Sequence, residues 1–228
     1  MAQAPELTRY LGGFVPPERR GRVERVLAAR TRHLTVVLED IYQTHNASAV
    51  LRSCECFGIQ DVHVIENRNA YSVNPDVVQG ASKWLDLIRY NDNDGDNTRR
   101  CMEELRASGY LLLAATPHRE DCTVDEVPVD KPTAVMFGTE ELGLSAGALE
   151  SADLFVRVPM FGFTESFNIS VCAALMLREL SRRLRARGGW ELTPEEKEDL
   201  RLRWYRKMVR GSEQLERRFA AAGAAGAE

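Results

Sequence analysis

The chain has 228 residues, 44% of them hydrophobic and 28% charged, and a formal net charge of −4. That balance excludes disordered, collagenous and disulfide-stapled chains, and the length is enough for one domain with its own core plus extensions. No run approaches the roughly 18–20 apolar residues of a membrane span, and the opening MAQAPELTRYLGGF lacks the charged-then-apolar order of a secretory signal.

An Arg-rich helix is predicted over 17–30, leading directly into a strand over 34–39. A short helix over 46–57 follows, with Ala49, Val50, Cys54 and Phe57 at three- to four-residue spacing and Gly58 just beyond. Further strands are read at 61–65 and 84–90. The polar run 91–97 turns into a helix over 98–108 closed by Gly109, and strands follow at 110–115, 133–137 and 154–158. The remainder is helical. Residues 168–187 place Val171, Leu175, Leu177, Leu180 and Leu184 on apolar faces before Gly188-Gly189. Thr193 then caps a helix over 195–219, with Pro194 in its first turn. The Ala/Gly tail reads as low-complexity and disordered.

Near-continuous apolar strands separated by helices predict an α/β fold, a mostly parallel six-stranded sheet with helices on both faces. The expected division is a basic helical extension over 1–33, a central domain over 34–187 and a helical extension over 188–228.

Charge is uneven along the chain. Residues 1–35 hold seven Arg/Lys against three acids and residues 178–228 hold thirteen against nine, so the acidic excess lies in the middle. Basic ends on an acidic body suit a polyanion, although Arg-rich helices are also ordinary solvated surfaces. The cysteines, Cys54, Cys56, Cys101, Cys122 and Cys172, include no Cys-x-x-Cys pair. No metal is expected, and the setting is expected to be reduced and cytoplasmic.

An α/β sheet often binds a nucleotide-like cofactor at the carboxyl ends of its strands, usually through Gly-x-Gly-x-x-Gly after the first. The chain contains no Gly-x-Gly, which sets aside the dinucleotide fold and the common methyltransferase fold that resembles it. Glycine gathers instead after the late strands, in Gly138-Thr139-Glu140-Glu141-Leu142-Gly143-Leu144 and in Val158-Pro159-Met160-Phe161-Gly162-Phe163-Thr164-Glu165-Ser166-Phe167-Asn168. One such loop is an ordinary turn, with Ser166 or Asn168 as a helix cap. Two of them, both carrying polar side chains, point to backbone groups approaching a ligand. The third element follows the first strand. Asn46 and Arg52, six residues apart, are two-thirds of a turn out of register on a helix. Asn46 therefore reads as a cap or loop residue, and Arg52 projects separately.

Together the three segments resemble the SPOUT superfamily of RNA methyltransferases, in its SpoU/TrmH branch. Asn-x-x-Ala-x-x-Arg matches at Asn46, Ala49 and Arg52, and Gly-Thr-Glu-x-x-Gly-Leu matches over 138–144. Pro-Met-x-Gly-x-x-x-Ser-x-Asn-x-Ser-Val matches over 159–171. The resemblance covers about 19–187. The Arg-rich helix ahead of His33-Leu34-Thr35-Val36-Val37, together with Gly80-Ala81-Ser82-Lys83-Trp84-Leu85, is similar to the tRNA (guanosine-18 2'-O)-methyltransferase subgroup in particular.

The resemblance implies a C-terminal deep trefoil knot, an exception to unknotted topology, whose loops bind S-adenosylmethionine largely through backbone groups. It places Thr116, Gly138, Thr139, Gly143, Val158, Met160, Gly162 and Phe167 at the cofactor, and Arg52, Asn46, Glu140, Ser166 and Asn168 at the chemistry. It further implies a homodimer with each active site at the subunit interface. Arg52 would hold an RNA phosphate and stabilise the developing alkoxide, since a guanidinium stays protonated. Arg19, Arg20, Arg22 and Arg25 at one end, and Arg182, Arg183, Arg185 and Arg187 at the other, would hold tRNA phosphates. Two alternatives stay open: a ribosomal-RNA ribose methyltransferase of the same superfamily, and a non-catalytic RNA-binding protein on the same scaffold.

Overall fold

The computed structural model describes residues 3–72, 74–78, 80–93, 95–119 and 121–225. It divides into two compact units, residues 31–190 and a second made of 1–30 with 191–228.

The first unit is a seven-stranded sheet. Its strands are β1 (Leu34–Glu39), β2 (Asp61–Ile65), β3 (Asp86–Tyr90), β4 (Leu111–Ala115), β5 (Cys122–Thr123), β6 (Thr133–Phe137) and β7 (Leu154–Arg157). Their order is β3-β2-β1-β6-β4-β7-β5, and every neighbouring pair is parallel. Side-chain alternation divides each central strand between two faces. Leu34, Val36 and Leu38 join one buried cluster with Val135 and Phe137, while Val37 joins the opposite one with Ala134 and Met136. The first cluster is covered by α3 (Thr44–Phe57) and α7 (Ile169–Arg187), the second by α5 (Asn97–Ala107) and α6 (Ala146–Ser151). A four-residue helix, α4 (Pro75–Val78), also packs beside α3. All six residues of β1 are buried. Each fully buried Val or Leu contributes about 1.5–3 kcal/mol, so this strand anchors whatever is built at its carboxyl end.

The second unit holds α1 (Gln3–Gly12), α2 (Pro17–Leu27), α8 (Pro194–Met208) and α9 (Ser212–Ala225). Its core includes Leu11, Val23, Leu27, Leu200 and Trp204. The buried Arg30 guanidinium lies 5.5 Å from the centre of the Trp204 ring, a cation–π contact. Arg201 makes paired contacts of 2.6 and 2.8 Å with Glu24. Thr193 and Glu196 form a reciprocal capping box at the start of α8.

Several sequence expectations need correction. The sheet has seven strands, not six, because β5 is two residues at an edge and too short to leave a periodic signal. The third strand begins at Asp86 rather than residue 84, because Ala81–Lys83 form a 3-10 turn closed by a 3.0 Å bond from Trp84 N–H to the Ala81 carbonyl. The helix expected over 195–219 is broken at Gly211, whose φ of +71° no helix accommodates. The Ala/Gly tail is helical as far as Ala225, since alanine has the highest helix propensity. Residues 226–228 lie outside the described residues. Asn46 is neither cap nor loop residue, for α3 begins at Thr44 and Gln43 occupies the cap position.

Candidate functional site

Three segments meet at the carboxyl ends of β1, β6 and β7. The first turn of α3 supplies Asn46, which is buried. Its amide nitrogen donates to Gln43 Oε1 at 2.6 Å and to the Glu140 carboxylate, and its oxygen accepts from Asn168 Nδ2 at 3.2 Å. Asn168 in turn caps α7, its Oδ1 accepting from Ser170 N–H at 2.9 Å and Ser170 Oγ at 2.6 Å. A chain of uncharged amides and one carboxylate thus ties the start of α3 to the loops following β6 and preceding α7. The two bonds that make this tie, Asn46 to Glu140 and Asn168 to Asn46, span 94 and 122 residues of sequence.

The loop after β6 closes on itself. Thr139 N–H donates to the Gly143 carbonyl and Gly143 N–H to the Thr139 carbonyl, both at 3.0 Å, and Leu142 N–H reaches Thr139 Oγ1 at 3.0 Å. A Cβ at position 138 would lie 2.1 Å from the Gly143 carbonyl carbon and oxygen, so only glycine permits this closure. Gly143 itself sits at φ +67°. The loop after β7 is open by contrast. Between 159 and 167 no backbone hydrogen bond reaches another described residue.

Between the two loops lies a cavity of about 410 Å³, within the range of small-molecule sites. Of the residues named from the sequence, Thr116, Gly138, Thr139, Glu140, Gly143, Val158, Met160, Ser166, Phe167 and Asn168 line it. Gly162 does not, and a Cβ there would meet no atom nearer than 4.0 Å, so its lack of a side chain serves no close approach in this chain alone. Asn46 touches the site only through Glu140 and Asn168. Arg52 is exposed on α3, outside the cavity lining and without an ion pair to any described residue.

Sequence reading missed His118, Glu141, Arg157, Glu165 and Cys172 as lining residues. Two signals were available for part of this set, since Glu141 and Glu165 lie inside the glycine-bearing loops. His118 and Cys172 carried none. Burial pushes the Cys172 thiol up to about 11, so it is a neutral wall group near neutral pH.

The arginines expected on RNA fall into two kinds. Arg19, Arg20, Arg22 and Arg25 are exposed on α2 without an ion pair to a described residue. Arg182 is held by Glu179 at 2.6 and 3.2 Å, and Arg183 Nη1 donates to the Val124 carbonyl at 3.2 Å. Arg185 likewise donates to the Phe57 carbonyl at 3.1 Å, while Arg187 is exposed. Among the described residues no group of three or more His, Cys, Asp or Glu could hold a metal, and no helix is long and apolar enough to cross a membrane.

The chain is similar to known proteins in sequence and fold. The model of the SpoU rRNA Methylase family matches residues 33–178. The tRNA (guanosine(18)-2'-O)-methyltransferase of Borreliella burgdorferi is 41% identical over 207 residues, covering 90% of this chain and 93% of that protein. The enzyme of the same name from Thermus thermophilus is 33% identical over 192 residues, covering 83% and 96% respectively. Among solved structures, the A. aeolicus TrmH/SpoU tRNA modifying enzyme superposes with a TM-score of 0.75 at 27% identity, over 85% of this chain and 98% of that one. The SpoU methyltransferase AviRb from Streptomyces viridochromogenes, solved in complex with the cofactor AdoMet, gives 0.59 at 25% identity over 72% of this chain and 62% of its own. The matched span 33–178 contains β1, α3 and both loops that wall the cavity, and on that correspondence the chain belongs to the SpoU methylase family.

Proposed function

We propose that this chain transfers a methyl group from S-adenosylmethionine (AdoMet) to the 2'-hydroxyl of guanosine-18 in tRNA, as a cytoplasmic homodimer. The observation that carries the reading is the 41% identity to a tRNA (guanosine(18)-2'-O)-methyltransferase over nearly the whole of both chains.

The cavity residues fit AdoMet. Phe137, Leu144, Val156 and Ile169 give apolar walls suited to a purine ring. The closed turn of 138–144 brings backbone groups against the space, and Glu140, Glu141 and Glu165 supply negative charge for a ligand with a sulfonium and an ammonium. When bound, AdoMet supplies an activated methyl group with a neutral leaving group, which calls for no metal.

The chain's own residues then position the hydroxyl and receive its charge. The Asn46–Glu140–Asn168 chain fixes the amides at the mouth of the site, where they orient ribose or cofactor, and Ser166 adds a hydroxyl on the same wall. Arg52 holds the neighbouring RNA phosphate by paired hydrogen bonds and stabilises the developing oxyanion, while the proton leaves to phosphate or solvent. Arg52 is exposed and outside the cavity lining of its own chain, which suits a site completed by the second protomer. Phe161 and Phe163, 98% and 108% exposed, and Val171 and Leu175 on one face of α7 offer the apolar surface for that contact. The C-terminal segment is read as a deep trefoil knot, supported by β6 lying between β1 and β4 and by α7 packing on α3. Gly162 is carried as a cofactor-loop residue that acts once the loop is covered. Arg19, Arg20, Arg22 and Arg25 bind tRNA phosphates, and Arg182 and Arg183 do so only after exchanging their present partners.

Labelled methyl transfer to unmodified tRNA followed by nucleoside mapping tests the reading. The expected product is 2'-O-methylguanosine at position 18. A label found only in ribosomal RNA selects the alternative substrate, and tRNA binding without transfer selects a pure binder. Arg52→Ala is expected to reduce turnover by about 10²–10³ with AdoMet affinity unchanged, and undiminished turnover would remove Arg52 from the chemistry.

A further inference from the structure

Glu39 ends β1, is 2% exposed, and takes no part in the chemistry described above. Its carboxylate meets only donors. Oε1 accepts from Thr98 Oγ1 at 2.6 Å and Ser145 Oγ at 2.7 Å, and Oε2 accepts from Ser145 N–H at 2.8 Å. No Arg, Lys or His among the described residues pairs with it. A buried carboxylate held only by hydroxyl and amide donors depends on all three of them, and it stands at the end of a strand whose six residues are all buried.

What this carboxylate holds is the return arm of the closed loop. The loop leaves the sheet at Phe137, which the ladder to β1 secures through the Leu38–Phe137 register. It returns through Gly143 and Leu144, both lining the cavity, to Ser145. Beyond its cross-strand turn, the arm is fixed where the Ser145 amide and hydroxyl meet Glu39. The hydroxyl has its direction set as well, because it accepts from Ala148 N–H at 3.2 Å and so donates to Glu39. Thr98 Oγ1 is likewise committed, accepting from Asn67 Nδ2 at 2.9 Å.

We propose that Glu39 is a positioning residue for AdoMet binding, setting the Gly143–Leu144 wall of the cavity through Ser145 without touching the ligand. The proposal rests on the AdoMet reading of the cavity. A carboxamide at position 39 keeps the shape but has one acceptor where three donors converge: with its oxygen on the Thr98 and Ser145 hydroxyls its NH2 opposes the Ser145 N–H, and flipped it opposes the two hydroxyls, so either way the arm loses its register while the sheet is retained.

AdoMet titrated calorimetrically into the full-length wild type, Glu39→Gln and Thr98→Val, with steady-state KM values for both substrates, tests this. Glu39→Gln is expected to weaken AdoMet binding about tenfold and raise its KM alike, with the KM for tRNA unchanged. Thr98→Val, on a helix that contributes nothing to the cavity lining, is expected to give about a threefold loss by removing one of the two Oε1 donors. Should Glu39→Gln not fold, Thr98→Val carries the test alone. Wild-type AdoMet affinity in the folded variants overturns the proposal, as does a parallel rise of both KM values. A wild type that does not bind AdoMet overturns the cofactor reading itself, a result distinct from a binding wild type with indifferent variants.

Discussion

The two loops that wall the cavity are built in opposite ways. The loop after β6 is closed by a reciprocal pair of backbone bonds, a glycine at 138 that tolerates no Cβ, and a buried carboxylate behind Ser145. The loop after β7 has no backbone hydrogen bond across 159–167 to a described residue and presents Phe161 and Phe163 to solvent. One wall is held by its own backbone bonds, and the other leaves its aromatic side chains uncovered in the single chain. A site of this kind is half preorganised. The fixed wall lowers the entropic cost of binding the small ligand, and the open wall leaves room for a macromolecule or a second protomer to complete the enclosure.

The strongest way to break this contrast is to disorder the ordered wall. Gly138→Ala forces an overlap with the Gly143 carbonyl that no rotamer relieves, and AdoMet binding is expected to weaken more than about a hundredfold. Calorimetry reads this directly, and binding within a few-fold of wild type would mean that the closed turn is not part of the ligand site. Acting on the open wall instead, Phe161→Ser with Phe163→Ser is expected to weaken self-association about thirtyfold, measured by sedimentation, while the thermal stability of the protomer changes little. Unaltered association would assign the exposed aromatics to another occupant.

A third test leaves both loops untouched and acts on the sheet that carries them. His63 on β2 is buried and bonded at 3.1 Å to Tyr90 Oη. Burial lowers its pKa from 6.5 to about 4, against a smaller opposing pull from Glu104. The unfolded chain therefore binds a proton that the folded chain refuses between these values. Stability is full above pH 6.5 and declines as pH falls toward about 4, by about 3 kcal/mol in all. Urea midpoints compared with those of His63→Asn, which cannot take the proton, isolate this share. Parallel acid profiles for the two proteins would refute it.

Much of this architecture was legible in the chain. β1, β2 and β6 are near-continuous apolar runs, and burial on both faces of a parallel sheet demands that pattern. The glycines at 138 and 143 were visible as loop signals, and the structure supplies the reason, a close approach at one and a positive φ at the other. The errors were equally physical. Trp84 and Leu85 look like strand residues because β-propensity reports a half-buried apolar surface, and they sit instead after a 3-10 turn. Gln43 gave no cap signal because its side chain makes no cap bond and goes to Asn46 instead.

The sequence by itself determined the parallel α/β character, the two loops and the residue types at their tips, because periodicity, glycine placement and local capping are properties of neighbouring residues. Only the tertiary structure decided that Asn46, Glu140 and Asn168 form one hydrogen-bonded chain, that Glu39 stands behind Ser145, and that Arg52 lies outside the cavity lining. Those contacts join residues about a hundred positions apart. The energy that selects them comes from packing two faces of a sheet at once, a sum over the whole core that no local stretch of chain contains.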